Sequence, residues 1–186
     1  MTNQTSMSQS IAKVAAVTGL ILLIPLTAQM VTSEVNWTLT DFIFAGTLIF
    51  GTGAAYAVIS RQSDSMMYRV ASGLTLTTAL FLIWVNLAVG VIGSEDNVGN
   101  LMYFGVVLVL LIGILAARLR ARGMALALFT TALAQAATVP AALTYDMQSL
   151  PGSSVMEILL INWMFTALFL ISGGLYWRVS ESIEHS

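Results

Sequence analysis

Cysteine is absent from the 186 residues, and histidine occurs once, at His185. The first absence excludes disulfides, thiolate metal sites and a cysteine nucleophile. The second excludes bis-histidine haem ligation and histidine-built zinc or copper centres among the helices. Charge is equally scarce. Asp, Glu, Lys and Arg make up 9% of the chain, against roughly 25% in a soluble domain. Net charge is −2, and no extended basic stretch offers nucleic acid a footprint. The sequence holds no HExxH, no GxSxG and no P-loop, so no enzyme is expected and no cofactor is implied.

What is present is apolar. Hydrophobic residues make up 58% of the chain, with a mean hydropathy of +0.88. A helix that crosses a bilayer needs about 20 mostly apolar residues. Six such runs can be drawn, at 11–31, 38–60, 69–93, 98–119, 123–145 and 154–177. The expected fold is all-α: an integral membrane bundle of six transmembrane helices, one domain over 1–186, with no room for a soluble domain. The polar residues 1–10 precede the first run. That run is read as a retained helix, because Leu26 would occupy position −3 of a cleavage site after Ala28.

All seven basic residues (Lys13, Arg61, Arg69, Arg118, Arg120, Arg122 and Arg178) fall at the same kind of run end. Cytoplasmic ends are enriched in Lys and Arg, so both termini are expected inside. Six acids collect at the opposite, outer end: Glu34, Asp41, Glu95, Asp96, Asp146 and Glu157. Rings fall into two belts. Trp37, Trp84, Tyr103, Tyr145 and Trp163 approach the outer interface, and Tyr56, Tyr68, Tyr176 and Trp177 the inner one.

The outward-to-inward helices open alike. Thr38 with Asp41 and Ser154 with Glu157 have the capping-box form, and Asn97 with Asn100 is an amide version of it. Each helix then runs to an arginine. Three tandem helical hairpins are one reading of this likeness; the rules every membrane hairpin obeys account for it equally. Small residues four apart, at Gly51/Ala55, Gly53/Ala57, Gly113/Ala117 and Ala132/Ala136, with Gly173-Gly174, mark helix–helix contact faces.

Polar side chains within the runs are the candidate site. Gln29, Asp41, Asn86, Asn100, Gln135 and Asn162 lie in the outer half or near the middle. Intramembrane polar groups usually face the bundle interior. Asn86, Asn162, Gln135, Asp41 and Asn100 are therefore expected to line a ligand-binding vestibule open to the outside. The competing reading gives each amide one interhelical hydrogen bond. The acidic run Glu95, Asp96 and Asn97 supplies hard oxygens suited to a cation, or else a solvated turn that caps the fourth helix. No ionisable residue lies at mid-membrane, where a proton relay would need one.

The run Asn86-Leu-Ala-Val-Gly-Val-Ile-Gly-Ser-Glu-Asp-Asn97, followed by Asn100-Leu-Met-Tyr103, resembles a group of small, uncharacterised bacterial membrane proteins. The resemblance is clearest in the middle hairpin and implies a bacterial inner-membrane location. By elimination, the expected role is a non-enzymatic accessory or scaffold subunit. Its partners are the bilayer and other membrane proteins or further copies of itself. A small channel or transporter with an outward-facing polar vestibule is the alternative.

Overall fold

The computed structural model describes residues 6–94, 96–150 and 153–184. They form six long helices and, among the described residues, no strand: α1 Met7–Val31, α2 Leu39–Ile59, α3 Met66–Ala88, α4 Leu101–Ala117, α5 Ala121–Thr144 and α6 Val155–Glu184. A short 3₁₀ turn, Val98–Asn100, leads into α4, and another, Met147–Ser149, follows α5. All six helical spans are long and apolar enough to cross a membrane. The chain is therefore a multi-pass, all-helical membrane protein.

Local chemistry sets the helix ends. α1 begins at Met7 rather than at 11, because Ser6 and Gln9 form a capping box: the Gln9 amide donates to Ser6 Oγ at 3.2 Å and the Ser6 amide to Gln9 Oε1 at 3.0 Å. The same device at Thr38 and Asp41 opens α2, as its sequence indicates. Ser154 Oγ accepts from the Glu157 amide at 3.2 Å at the head of α6. α3 stops at Ala88, short of the expected 93, since Gly90 and Gly93 take positive φ (+74° and +67°) and turn the chain out of the helix. α6 continues beyond 177 to Glu184. Pro25 and Pro140 interrupt neither α1 nor α5.

The chain divides into two compact units, Met1–Arg61 and Gln62–Ser186. In the first, α1 packs on α2 through a close approach. A Cβ on Gly53 would stand 2.6 Å from Val14 Cγ1. Arg61 Nη2 also donates to Ser10 Oγ at 2.9 Å. Along α1 only Thr18 is buried.

In the second unit, α5 is the central helix, packed along α4 on one side and α6 on the other. α3 lies mainly along α6 and touches α4 over a shorter stretch, so the middle pair is a looser hairpin than α5–α6. Small residues allow this closeness. A Cβ on Gly113 would stand 2.7 Å from Ala127 Cβ, and one on Gly173 2.7 Å from the Phe129 ring. Gly51, Gly105 and Gly174, by contrast, meet nothing within 4 Å. Large side chains fill the interior, among them Leu82, Tyr103, Leu110, Leu128, Phe165, Phe169 and Tyr176.

α4 and α5 join through residues 118–120, where Arg118 and Leu119 both adopt left-handed backbone (φ 48° and 60°). The turn is held from outside: Tyr68 Oη donates to the Leu119 carbonyl at 2.7 Å. Tyr68 meets Tyr176 edge-on at 5.0 Å, and Ser72 Oγ lies 2.7 Å from Tyr176 Oη. Tyr68 and Tyr176 are thus buried packing residues that tie α3 to α6, not inner-interface anchors. Tyr103, at 1% exposure, is likewise buried rather than part of the outer belt.

Gly113→Leu is expected to push α4 from α5 and destabilise the protein by about 1–3 kcal/mol. Gly105→Leu, on an open face of the same helix, is expected to be neutral or stabilising by up to about 1 kcal/mol. Thermal unfolding in detergent compares the two.

Candidate functional site

Hydroxyl side chains within the helices are mostly satisfied by their own backbone. Ser72, Thr75, Thr78, Thr131, Thr166 and Ser172 each bond the carbonyl four residues earlier, at 2.7 to 2.9 Å. In hydrocarbon a hydroxyl finds no water, and this local bond is the cheapest substitute. The amides carry more bonding groups than that local bond uses, so they also reach beyond their own helix. That difference singles out the polar residues capable of building a site.

Two amide clusters result. The first joins α4, α5 and α6. Gln135 Nε2 donates to Asn162 Oδ1 at 2.8 Å, and Asn162 Nδ2 donates to the Ile158 carbonyl at 2.7 Å. Thr138 Oγ1 lies 2.6 Å from both Asn162 Oδ1 and the Gln135 carbonyl. Tyr103 turns its hydroxyl toward Asn162 and Thr138 without a formed hydrogen bond. Gln135 Oε1 also has no partner, although Gln135 is fully buried. By helix rise, Gln135 and Asn162 lie roughly 10–14 Å from the ends of α5 and α6 nearest the acidic loops.

The second cluster ends α3 and begins α4. Asn100 uses its side chain completely. Its Oδ1 accepts from the Val91 and Ile92 amides at 3.1 and 3.0 Å, and its Nδ2 donates to the Ile92 and Ser94 carbonyls at 3.1 and 2.7 Å. The Asn86 amide donates to the Asn100 backbone carbonyl at 3.2 Å, leaving Asn86 Oδ1 without a partner. Gly90 must be glycine here, since a Cβ would stand 2.6 Å from the Ser94 backbone and 2.7 Å from Asn100 Nδ2. The loop before α4 is also latched to the segment preceding α6, with the Gly93 amide donating to Ser153 Oγ at 2.6 Å.

The residues expected to line one vestibule form two hydrogen-bonded pairs in the second unit. Gln135 bonds Asn162, and Asn86 bonds Asn100; the Asn100 side chain has no free bonding capacity left for a ligand. Gln29 and Asp41 belong to the first unit. Asp41 is exposed, and one carboxylate oxygen already accepts from the Thr38 amide and hydroxyl at 2.6 and 2.7 Å.

Of the acidic run, Glu95 lies outside the described residues and Asp96 is exposed. Asn97 Oδ1 accepts from the Gly99 amide at 2.8 Å, so it caps the 3₁₀ turn. Asn97 and Asn100 do not form the reciprocal amide box: one caps locally and the other reaches back across the loop. Among the described residues no group of three or more His, Cys, Asp or Glu side chains could hold a metal.

Sequence reasoning missed Thr138 and Tyr103 as members of the buried cluster. Thr138 was findable, because it sits three residues from Gln135 and so shares its helix face. Nothing local marks Tyr103, whose aromatic ring suits an interface equally well. Compared with protein-family models, curated proteins and solved structures, the chain finds no match.

Asn100→Ala removes four hydrogen bonds at net values of about 0.5–1.5 kcal/mol each, and is expected to cost about 2–5 kcal/mol. Asp41→Ala, which removes one exposed cap, is expected to cost about 1 kcal/mol. Thermal or denaturant unfolding ranks the two.

Proposed function

We propose that the protein is a non-enzymatic accessory or scaffold subunit of the bacterial inner membrane, assembling with other membrane proteins or with further copies of itself. Its arginine-rich helix ends and both termini face the cytoplasm, in keeping with the positive-inside bias. The bacterial location rests on the resemblance carried by residues 86–103.

The observation that carries this reading is the filled interior of α3 to α6. Large side chains such as Leu82, Leu128, Phe165, Phe169 and Tyr176 occupy it. Besides tyrosine, the buried polar side chains among the described residues are Ser, Thr, Asn and Gln only. A proton relay or ion path through a bundle would draw on buried ionisable groups. Every helix is also unbroken, whereas transporter sites are commonly built from discontinuous helices. The second reading, a small channel or transporter, draws on the unpartnered oxygens of Asn86 and Gln135 near the acid-rich end.

Purification in mild detergent is expected to bring down a stoichiometric membrane partner or a homo-oligomer, and reconstituted liposomes to show no flux of Na⁺, K⁺ or small neutral solutes above protein-free controls. A lone monomer that conducts would replace the subunit with the channel. For orientation, Asp96→Cys is expected to react with an impermeant thiol reagent from outside the cell and Arg120→Cys only from within. The reverse pattern overturns the assignment of sides.

A further inference from the structure

Three arginines fall close together where α4 passes into α5, at Arg118, Arg120 and Arg122, and all are exposed. The backbone beneath them is fixed. The Arg118 amide donates to the Leu115 carbonyl at 3.2 Å, the Arg120 amide to the Ala117 carbonyl at 3.0 Å, and Tyr68 Oη to the Leu119 carbonyl at 2.7 Å. Gly123 brings the first turn of α5 against the end of α4, since a Cβ there would stand 2.9 Å from Ala117 Cα. The charges are therefore crowded. No Asp or Glu occurs from Asn97 to Tyr145. Of the acids at this end of the unit, Asp64 lies 3.4 Å from Arg69, and Glu181 accepts from Trp177 Nε1 at 2.9 Å. Arg120 and Arg122 also stand at the positive end of a helix. Arg120 is the N-cap of α5 and makes no side-chain cap, and the first turn holds no acid. The helix dipole therefore adds to the arginine field.

We propose that the α4–α5 turn binds the headgroup phosphate of one anionic phospholipid through Arg118 and Arg120, with an acyl chain lying along the exposed stripe of α5. Charge selects the headgroup. A guanidinium matches phosphate oxygens in a two-pronged bond, and basic sites at the ends of membrane helices hold anionic headgroups. The surface below the arginines selects a lipid over a free anion or an acidic peptide. Arg122, Leu126, Thr130 and Leu133 follow one another at helical spacing down a single face of α5. All four are exposed, Leu126 at 54% and Leu133 at 72%. Thr130 does not interrupt the apolar stripe, because its hydroxyl donates to the Leu126 carbonyl at 2.9 Å. Leu115, one turn before Arg118 on α4, is 76% exposed. Arg122 lies over the Trp177 ring, 5.6 Å from its centroid, a cation–π contact at the level where aromatic rings meet headgroups. An occupant with one negative group and a long apolar tail fits this succession of surfaces. The site rests on the helical membrane fold and not on the subunit reading above.

The test is native mass spectrometry of the full-length protein, released from mild detergent after incubation with equal amounts of phosphatidylglycerol and phosphatidylcholine. Phosphatidylglycerol is expected to stay bound and phosphatidylcholine to be lost. The double variant Arg118→Gln with Arg120→Gln is expected to lower phosphatidylglycerol retention by about fivefold or more. Should it fail to fold, Arg120→Gln alone is expected to move retention in the same direction. Lys13→Gln, which removes a charge from a helix end of the first unit, is expected to leave retention unchanged. Excess inorganic phosphate is expected not to displace the lipid. Equal retention of the two lipids overturns the site, as does undiminished retention in the arginine variants. An equal loss in Lys13→Gln reduces the effect to overall charge and overturns it too. Displacement by inorganic phosphate overturns the lipid as occupant and leaves a site for the free anion.

Discussion

A polar group carried into hydrocarbon has no water to fall back on, so each one must find its partner within the protein. This constraint orders most of what is seen in the α3–α6 unit. Serines and threonines bend their hydroxyls back to the preceding turn, which costs no long-range geometry. Amides have more bonding capacity than that solution uses: Asn162 gives one hydrogen to the Ile158 carbonyl a turn earlier and still accepts from α5 at its oxygen. They are placed where helices meet or where a loop must be held. Asn162 and Gln135 therefore sit at the junction of helices, and Asn100 at the break between α3 and α4, where the loop amides and carbonyls need satisfying.

The same solvent explains the packing. Without a hydrophobic drive between helices, attraction comes from close van der Waals contact. α5 is accordingly rich in alanine, and Ala125, Ala127, Ala132 and Ala142 are buried along it. Gly113 on α4 and Gly173 on α6 let it approach on two sides. α1 is the counter-example. It is just as apolar, yet nearly all of its surface stays open within its own unit. Hydropathy alone therefore distinguishes membrane from water but not a central helix from a lipid-facing one.

Much of the fold was legible for that reason. Six apolar runs gave six helices, and the Thr38–Asp41 box appeared where its residues placed it. The errors lie where backbone conformation or tertiary contact decides. The end of α3 was drawn too late because the run stays apolar through Val91 and Ile92; only the positive φ of Gly90 and Gly93 and the reach of Asn100 turn it into a loop. Tyr68, Tyr103 and Tyr176 resembled belt residues because a phenol suits an interface and a buried hydrogen bond alike. Asn100 looked like a ligand for the property that makes it a staple, four bonding positions on a short stem. The pairing of Gln135 with Asn162 required knowing that α5 and α6 lie side by side.

The bond between Ser72 and Tyr176 spans 104 positions of chain. Its consequence concerns the order of assembly. α4 and α5 are joined by a minimal turn, and their contacts are local, so they can associate as soon as both have entered the membrane. α3 leaves the ribosome earlier, but α6, the helix it lies against, is made only after α4 and α5. Until α6 arrives, the flank of α3 that carries Tyr68 and Ser72 has the α4–α5 turn at Tyr68 but lacks the Tyr176 partner of Ser72. During that interval it is open to membrane chaperones or to mispairing with another nascent helix.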